Sequence, residues 1–136
     1  MSKRKEISRC VNCDKEFKSH HSSSGTYCSN KCQQDLVFKE RIKEIEGGIE
    51  FTSKIMKRYL IFKHGNKCQN INCGWDWSKE CPIELEHIDG NSDNNKLENL
   101  TLLCPNCHSL TPTYKAKNKG NGRHKRRERY KQGLSF

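Results

Sequence analysis

Residues 84–108 read ELEHIDGNSDNNKLENLTLLCPNCH and bring together a carboxylate, two imidazoles and an amide. Glu86 and His87 are adjacent, Asn99 lies a dozen residues on, and His108 directly follows the pair Cys104-x-x-Cys107. A carboxylate and a neutral imidazole can hold one hard divalent ion, with water and substrate oxygens completing its shell. Phosphodiester hydrolysis is the chemistry such a set would serve. It needs a deprotonated water in line with the leaving oxygen, and positive charge against what builds on the phosphate. Glu86 and His108 are the candidate ligands for a Mg2+- or Mn2+-type ion. His87 is the candidate general base, since imidazole accepts a proton near neutral pH. Asn99 would hydrogen-bond the loop backbone and keep His87 aimed.

One geometric condition follows. Neighbouring residues in a strand point to opposite faces, so Glu86 and His87 can serve one phosphate only where the strand ends or bulges. Asp89-Gly90, immediately after, predicts such an ending.

The elements around these residues are short. Residues 83–87 begin with strand-like alternation, and residues 100–104 predict a second strand. Between them, DGNSDNN over 89–95 is dense in turn formers. A helix should begin near Pro105, which suits a first helical turn, and Pro112 should kink or end it. The run Asp89-x-Asn91-x-Asp93 is not a calcium loop, because Asn94 occupies the glycine position and Leu100 the closing-glutamate position. Upstream, residues 33–46 predict a helix, with Leu36, Phe38, Ile42 and Ile45 partly on one side; Gly47-Gly48 ends it as a hinge. A second helix starts at Thr52 or Ser53, carries an apolar stripe of Ile55, Met56, Tyr59, Leu60 and Phe62, and stops at Gly65.

With 32% apolar residues and a mean hydropathy of −1.03, the 136-residue chain cannot build a generous core. Units well below about 70 residues usually need metal or disulfide staples. Eight of the nine cysteines supply them in two sets of four. Cys10, Cys13, Cys28 and Cys32 form the first set, with a turn at Ser22–Gly25 between its pairs; Cys68, Cys73, Cys104 and Cys107 form the second. These close spacings match tetrahedral zinc–thiolate sites, each tight turn offering two thiolates from one side. A disulfide framework would come with a secretory signal, and no apolar segment follows Met1-Ser-Lys-Arg-Lys. Two structural Zn2+ ions are expected, with Cys81 left over as a buried structural thiol. No run approaches the roughly 18 apolar positions of a membrane span. The expectation is a soluble, cytoplasmic protein, in a compartment where thiols stay reduced and available to zinc.

The net charge of +10 is concentrated. Residues 115–131 set Lys115, Lys117, Lys119, Arg123, Lys125, Arg126, Arg127, Arg129 and Lys131 against Glu128 alone, a net +8. Such a stretch is the footprint of phosphate binding, with DNA the expected partner; the bland alternative is a solvated, disordered tail. Lys54, Lys57, Arg58 and Lys63 of the second helix are further basic positions.

The phrase H-I-D-G-N…N-N…L-E-N-L…L-C-P-N-C-H resembles the core motif of the HNH endonucleases, in the subgroup stiffened by a four-cysteine zinc. The resemblance covers about residues 68–118; CVNCDKEF…YCSNKC looks like the small four-cysteine fingers found beside such nucleases. It implies a ββα-metal finger in which Glu86 and His108 hold the catalytic ion, His87 is the base and Asn99 the central asparagine. Many members carry Asp or His where this chain has Glu86, and some carry a second helix histidine where it has Pro112. The fold class expected is small α+β, metal-stabilised. Residues 1–9 are a disordered N-terminus, 10–33 a zinc finger, 34–65 linking helices, 66–118 the nuclease domain and 119–136 a basic tail. The resemblance implies divalent-ion-dependent cleavage of DNA that leaves 5′-phosphate and 3′-hydroxyl ends. It also admits a large protein partner such as a phage packaging enzyme, docked by the N-terminal finger. The competing reading is a non-catalytic zinc-finger protein that binds nucleic acid or acts as an adaptor.

Overall fold

The computed structural model describes residues 6–19, 26–119 and 124–134. The Ser22–Gly25 turn and Arg123 lie outside the described residues. The chain divides into two compact units, Met1–Gly47 and Gly48–Phe136.

The first unit holds a hairpin and a helix. Strand β1 (Ile7–Arg9) pairs antiparallel with β2 (Glu16–Lys18), Ile7 opposite Lys18 and Arg9 opposite Glu16. The expectation of a disordered segment over residues 1–9 is corrected here for Ile7–Arg9. The turn joining the strands carries Cys10 and Cys13, and Asp14 closes it at φ 58, a left-handed conformation that Asp tolerates. The Asp14 N–H donates to the Cys10 carbonyl at 2.8 Å, and the Cys10 N–H to the Lys15 carbonyl at 3.0 Å. Both cysteines are thereby set on one knuckle. Helix α1 (Asn30–Glu46) begins earlier than residue 33 because Ser29 caps it, its hydroxyl accepting from the Cys32 N–H at 3.1 Å. Gly47 ends it.

In the second unit, helix α2 (Ser53–His64) packs on the two-stranded sheet of β3 (Glu84–His87) and β4 (Leu100–Leu103). Thr52 stands at the cap without a side-chain bond, and Gly65 follows the helix at φ 81, where glycine carries no Cβ penalty. Met56, Tyr59 and Leu60 are buried, while Phe62 is 61% exposed. Six positions beyond Met56, Phe62 is rotated well off that face, so the predicted stripe narrows to three residues.

The strands pair antiparallel, Glu84 opposite Leu103, Glu86 opposite Thr101 and His87 opposite Leu100. Ile83, Leu100 and Leu102 are buried. The other edge of β4 is stitched to the Cys68–Cys73 loop by Gln69, whose N–H donates to the Leu102 carbonyl and whose Oε1 accepts from the Leu102 N–H, both at 2.7 Å. Helix α3 (Pro105–Ser109) follows β4 with Pro105 in its first turn, and it ends at Leu110, before Pro112 is reached. The basic stretch includes helix α4 (His124–Lys131), all of it exposed. Among the described residues, no helix is long and apolar enough to cross a membrane.

Leu102 is completely buried in β4, opposite Leu85 in the sheet on which α2 packs. Leu102→Ala is expected to lower unfolding stability by about 2–5 kcal/mol, read as a shift of the denaturant midpoint at constant metal content.

Candidate active site and metal centres

Eight cysteines gather in two thiol clusters, one in each unit. In each of the sets Cys10/Cys13/Cys28/Cys32 and Cys68/Cys73/Cys104/Cys107, all four sulfurs lie within 4.8 Å of one another, and each set could hold a metal ion. Separations of 3.6 Å (Cys13–Cys28), 3.4 Å (Cys28–Cys32) and 3.7 Å (Cys73–Cys104) exceed a disulfide bond, and all nine cysteines are free thiols. Protons are shared unevenly. The Cys28 N–H beside Cys10 holds that thiol down to about 6, while contact with the Cys32 and Cys13 thiols pushes Cys28 up to about 12. In the second cluster burial pushes Cys107 up to about 12, whereas Cys104 lies below its usual range. Burial raises Cys104, but the Cys107 N–H and neighbouring thiols outweigh it. An ion binding four thiolates must displace these protons. Cys81, expected to be buried, is half-exposed, and desolvation followed by the charge of Cys104 raises it.

The second cluster also sets the helix that carries His108. Cys104 is the N-cap residue of α3, its sulfur accepting from the Cys107 N–H at 3.5 Å, and Asn70 donates to the Cys107 sulfur at 3.3 Å. Strand, thiol cluster and helix start are therefore one covalently short assembly. His108, one residue beyond Cys107, meets β3 instead of the cluster.

There its two ring nitrogens face two carboxylates. Nε2 lies 2.6 Å from Glu86 Oε2, and Nδ1 pairs with Glu84. Glu84 and Glu86, two apart in β3, share a sheet face. Glu86 is buried, and its second oxygen accepts from the Thr113 hydroxyl. A buried carboxylate left unpartnered would be costly, so both oxygens are engaged. Tyr114 stands edge-on to His108 with ring centroids 5.1 Å apart, and the Lys115 ammonium lies 5.0 Å from the Tyr114 ring centre. The Tyr114 hydroxyl holds Lys115 above its usual range.

His87 ends β3 and is held separately. Its Nε2 lies 2.9 Å from Asn95 Oδ1, which also accepts from the Ser53 hydroxyl at 3.1 Å. The strand stops at His87, where the Gly90 N–H donates back to its carbonyl at 2.8 Å. Asn99, buried, spans the loop: Oδ1 accepts from the Asp89 N–H, and Nδ2 donates to Asp89 Oδ1 and to the Asn94 carbonyl, each at 2.9 Å. Burial pushes the Asp89 carboxyl up, but donors from Asn94, Asn91 and Asn99 hold it below the usual carboxylate range. Asn118 Nδ2 clasps the same turn through the Gly90 carbonyl at 2.6 Å.

The structure thus joins Glu86 to His108 directly and fixes His87 and Asn99 at either end of one loop. Glu84, Ser53, Asn95, Thr113 and Asn118 were not singled out as site residues from sequence. Glu84 alone had a signal, the i, i+2 spacing from Glu86 along a strand. The basic positions Lys115, Lys117, Lys119, Lys125, Arg126, Arg127 and Arg129 are exposed. Asp93 accepts from the Lys125 N–H at 3.0 Å, anchoring the start of α4 to the 89–95 loop; Ser92, Asp93, Lys125, Arg126, Glu128 and Arg129 line an open cleft there.

Over 92 residues, 65% of its length, the chain is 41% identical to the H-N-H endonuclease F-TflIV of Escherichia phage T5. It spans 40% of that relative's length. No family model matches the chain, and no solved structure matches it.

Two outcomes are expected. Metal analysis should find two zinc ions per chain and one in Cys104→Ser, with uptake weakening as pH falls because binding releases thiol protons. Gly90 is at φ 73, and a Cβ there would come 2.2 Å from Asn118 Oδ1 and 2.9 Å from Thr113 Cγ2. Gly90→Ala is therefore expected to cost about 1–3 kcal/mol in an unfolding titration.

Proposed function

We propose that this chain, a relative of the H-N-H endonucleases, is a divalent-metal-dependent enzyme that hydrolyses DNA phosphodiester bonds. The observation that carries the reading is the buried Glu86 carboxylate brought to 2.6 Å from His108 Nε2, beside a strand that ends in His87.

The donor set fits a hard ion such as Mg2+ or Mn2+: one carboxylate oxygen and one imidazole nitrogen already converge, leaving most of the shell to water and phosphate. When bound, that ion offsets charge on the phosphate oxygens and on the departing 3′ oxygen. Thr113 keeps Glu86 turned toward His108, and Glu84 accepts from Nδ1 so that Nε2 is the nitrogen left to coordinate. His87 takes the proton from the attacking water. Asn99 ties both ends of the 89–94 loop so that this imidazole stays at the strand terminus. The two thiol clusters hold structural zinc, the second bracing the helix that presents His108. Lys115 and α4 contact phosphates, a sequence-independent attraction that selects no target. Residues 10–33 then serve as a zinc finger, 34–65 as linking helices, 66–118 as the nuclease domain and 119–136 as a basic tail.

A non-catalytic binding module would share the clusters and the basic helix, but it gives no reason to bury Glu86 against His108. Single-turnover cleavage of a labelled duplex separates the two. His87→Ala is expected to lose about 10²–10⁴-fold in rate with zinc content and DNA affinity unchanged. A variant that cuts at the wild-type rate removes His87 from the mechanism. Deleting 119–136 should flatten the dependence of DNA affinity on salt, each lost phosphate contact lowering the log–log slope by about 0.9. An unchanged slope would place the tail away from DNA.

A further inference from the structure

The strand end presents His87, yet an imidazole can serve as base only through the nitrogen that carries no proton. Which nitrogen that is depends on what the other one touches. Asn95 Oδ1 lies 2.9 Å from His87 Nε2 and 3.1 Å from the Ser53 hydroxyl, the first residue of α2. An amide oxygen only accepts. Both neighbours must then donate to it, Nε2 with its hydrogen and Ser53 with its hydroxyl.

We infer that Asn95, braced by Ser53, is a positioning residue that fixes His87 as the Nε2–H tautomer and so reserves Nδ1 for the attacking water. This rests on the nuclease reading and assigns a role to residues outside its motif positions. Thr52 sits at the helix cap without a side-chain bond, and the hydroxyl at Ser53 is turned to the loop instead. Helix α2 thereby orients the base as well as packing on the sheet. The two imidazoles are set by different groups, His108 by Glu84 and Glu86, His87 by Asn95. The Asn95 contact should consequently control the rate and leave metal uptake alone.

The test uses the full zinc-loaded chain, with 15N-labelled histidine, as wild type, Asn95→Ala, Asn95→Asp and Ser53→Ala. Nitrogen shifts of His87 should show Nε2–H in the wild type and a loss of that preference in Asn95→Ala. Single-turnover cleavage by Asn95→Ala should fall about 10- to 100-fold, the scale of a slightly misdirected catalytic group, with Mn2+ affinity and DNA KM unchanged. Asn95→Asp, still an acceptor, should recover most of the loss, and Ser53→Ala should fall in the same direction by less. A wild-type His87 found as Nδ1–H, or an Asn95→Ala variant that cuts at the wild-type rate, overturns the inference. Wild-type protein that cuts with neither Mg2+ nor Mn2+ defeats the nuclease reading, and His87→Ala that cuts like the wild type defeats the base assignment; in both cases the tautomer measurement still reports on Asn95.

Discussion

Everything at the candidate site depends on four thiols meeting within 4.8 Å. Cys68 and Cys73 come from a loop, Cys104 from the end of β4 and Cys107 from α3. The buried apolar side chains of the second unit come mainly from α2 and the strands, so the short helix α3, whose buried residue is Cys107, has little apolar surface with which to hold its place. A cluster that accepts one ion replaces that missing core at the point where β4 turns into α3. A free energy of metal binding on that scale acts as folding free energy in such small units.

The consequence runs one residue further. Because Cys107 is committed to the cluster, His108 is committed to the opposite neighbour, β3, where alternation has placed Glu84 and Glu86 on one face. The register Glu86–Thr101 and Glu84–Leu103 fixes how far along the strand this meeting occurs. A slip of one residue would carry the two carboxylates to the other face. Burial of Glu86 then adds a demand of its own: the carboxylate needs partners, and the Thr113 hydroxyl donates to one oxygen while the other faces His108 Nε2.

Much of this was legible in the chain. Pro105 and Gly65 mark helix ends because each acts through its own backbone constraints. The cysteine pairs mark clusters because metal geometry restricts their spacing. Other features depend on partners distant in sequence. Ser53 reaches Asn95 across 42 positions and Asn118 reaches Gly90 across 28, and no local periodicity encodes either contact. The β1–β2 hairpin leaves no pattern for a different reason: its strands are three residues each, too short for alternation to register. Phe62 fits the helical spacing only loosely and stands on the neighbouring, exposed face of α2. The start of α4 is tied to the 89–95 loop through Asp93, which composition alone does not reveal.

The proposed hydrolysis centres on the Glu86–His108 pair beside the Cys68/Cys73/Cys104/Cys107 cluster. Incubating zinc-loaded wild-type protein with supercoiled plasmid in EDTA, Mg2+ or Mn2+ tests this most directly. Relaxed or linear DNA should form with Mg2+ or Mn2+ and be absent in EDTA. Plasmid left supercoiled with either ion, by protein that holds both zinc ions and binds the DNA, would contradict it.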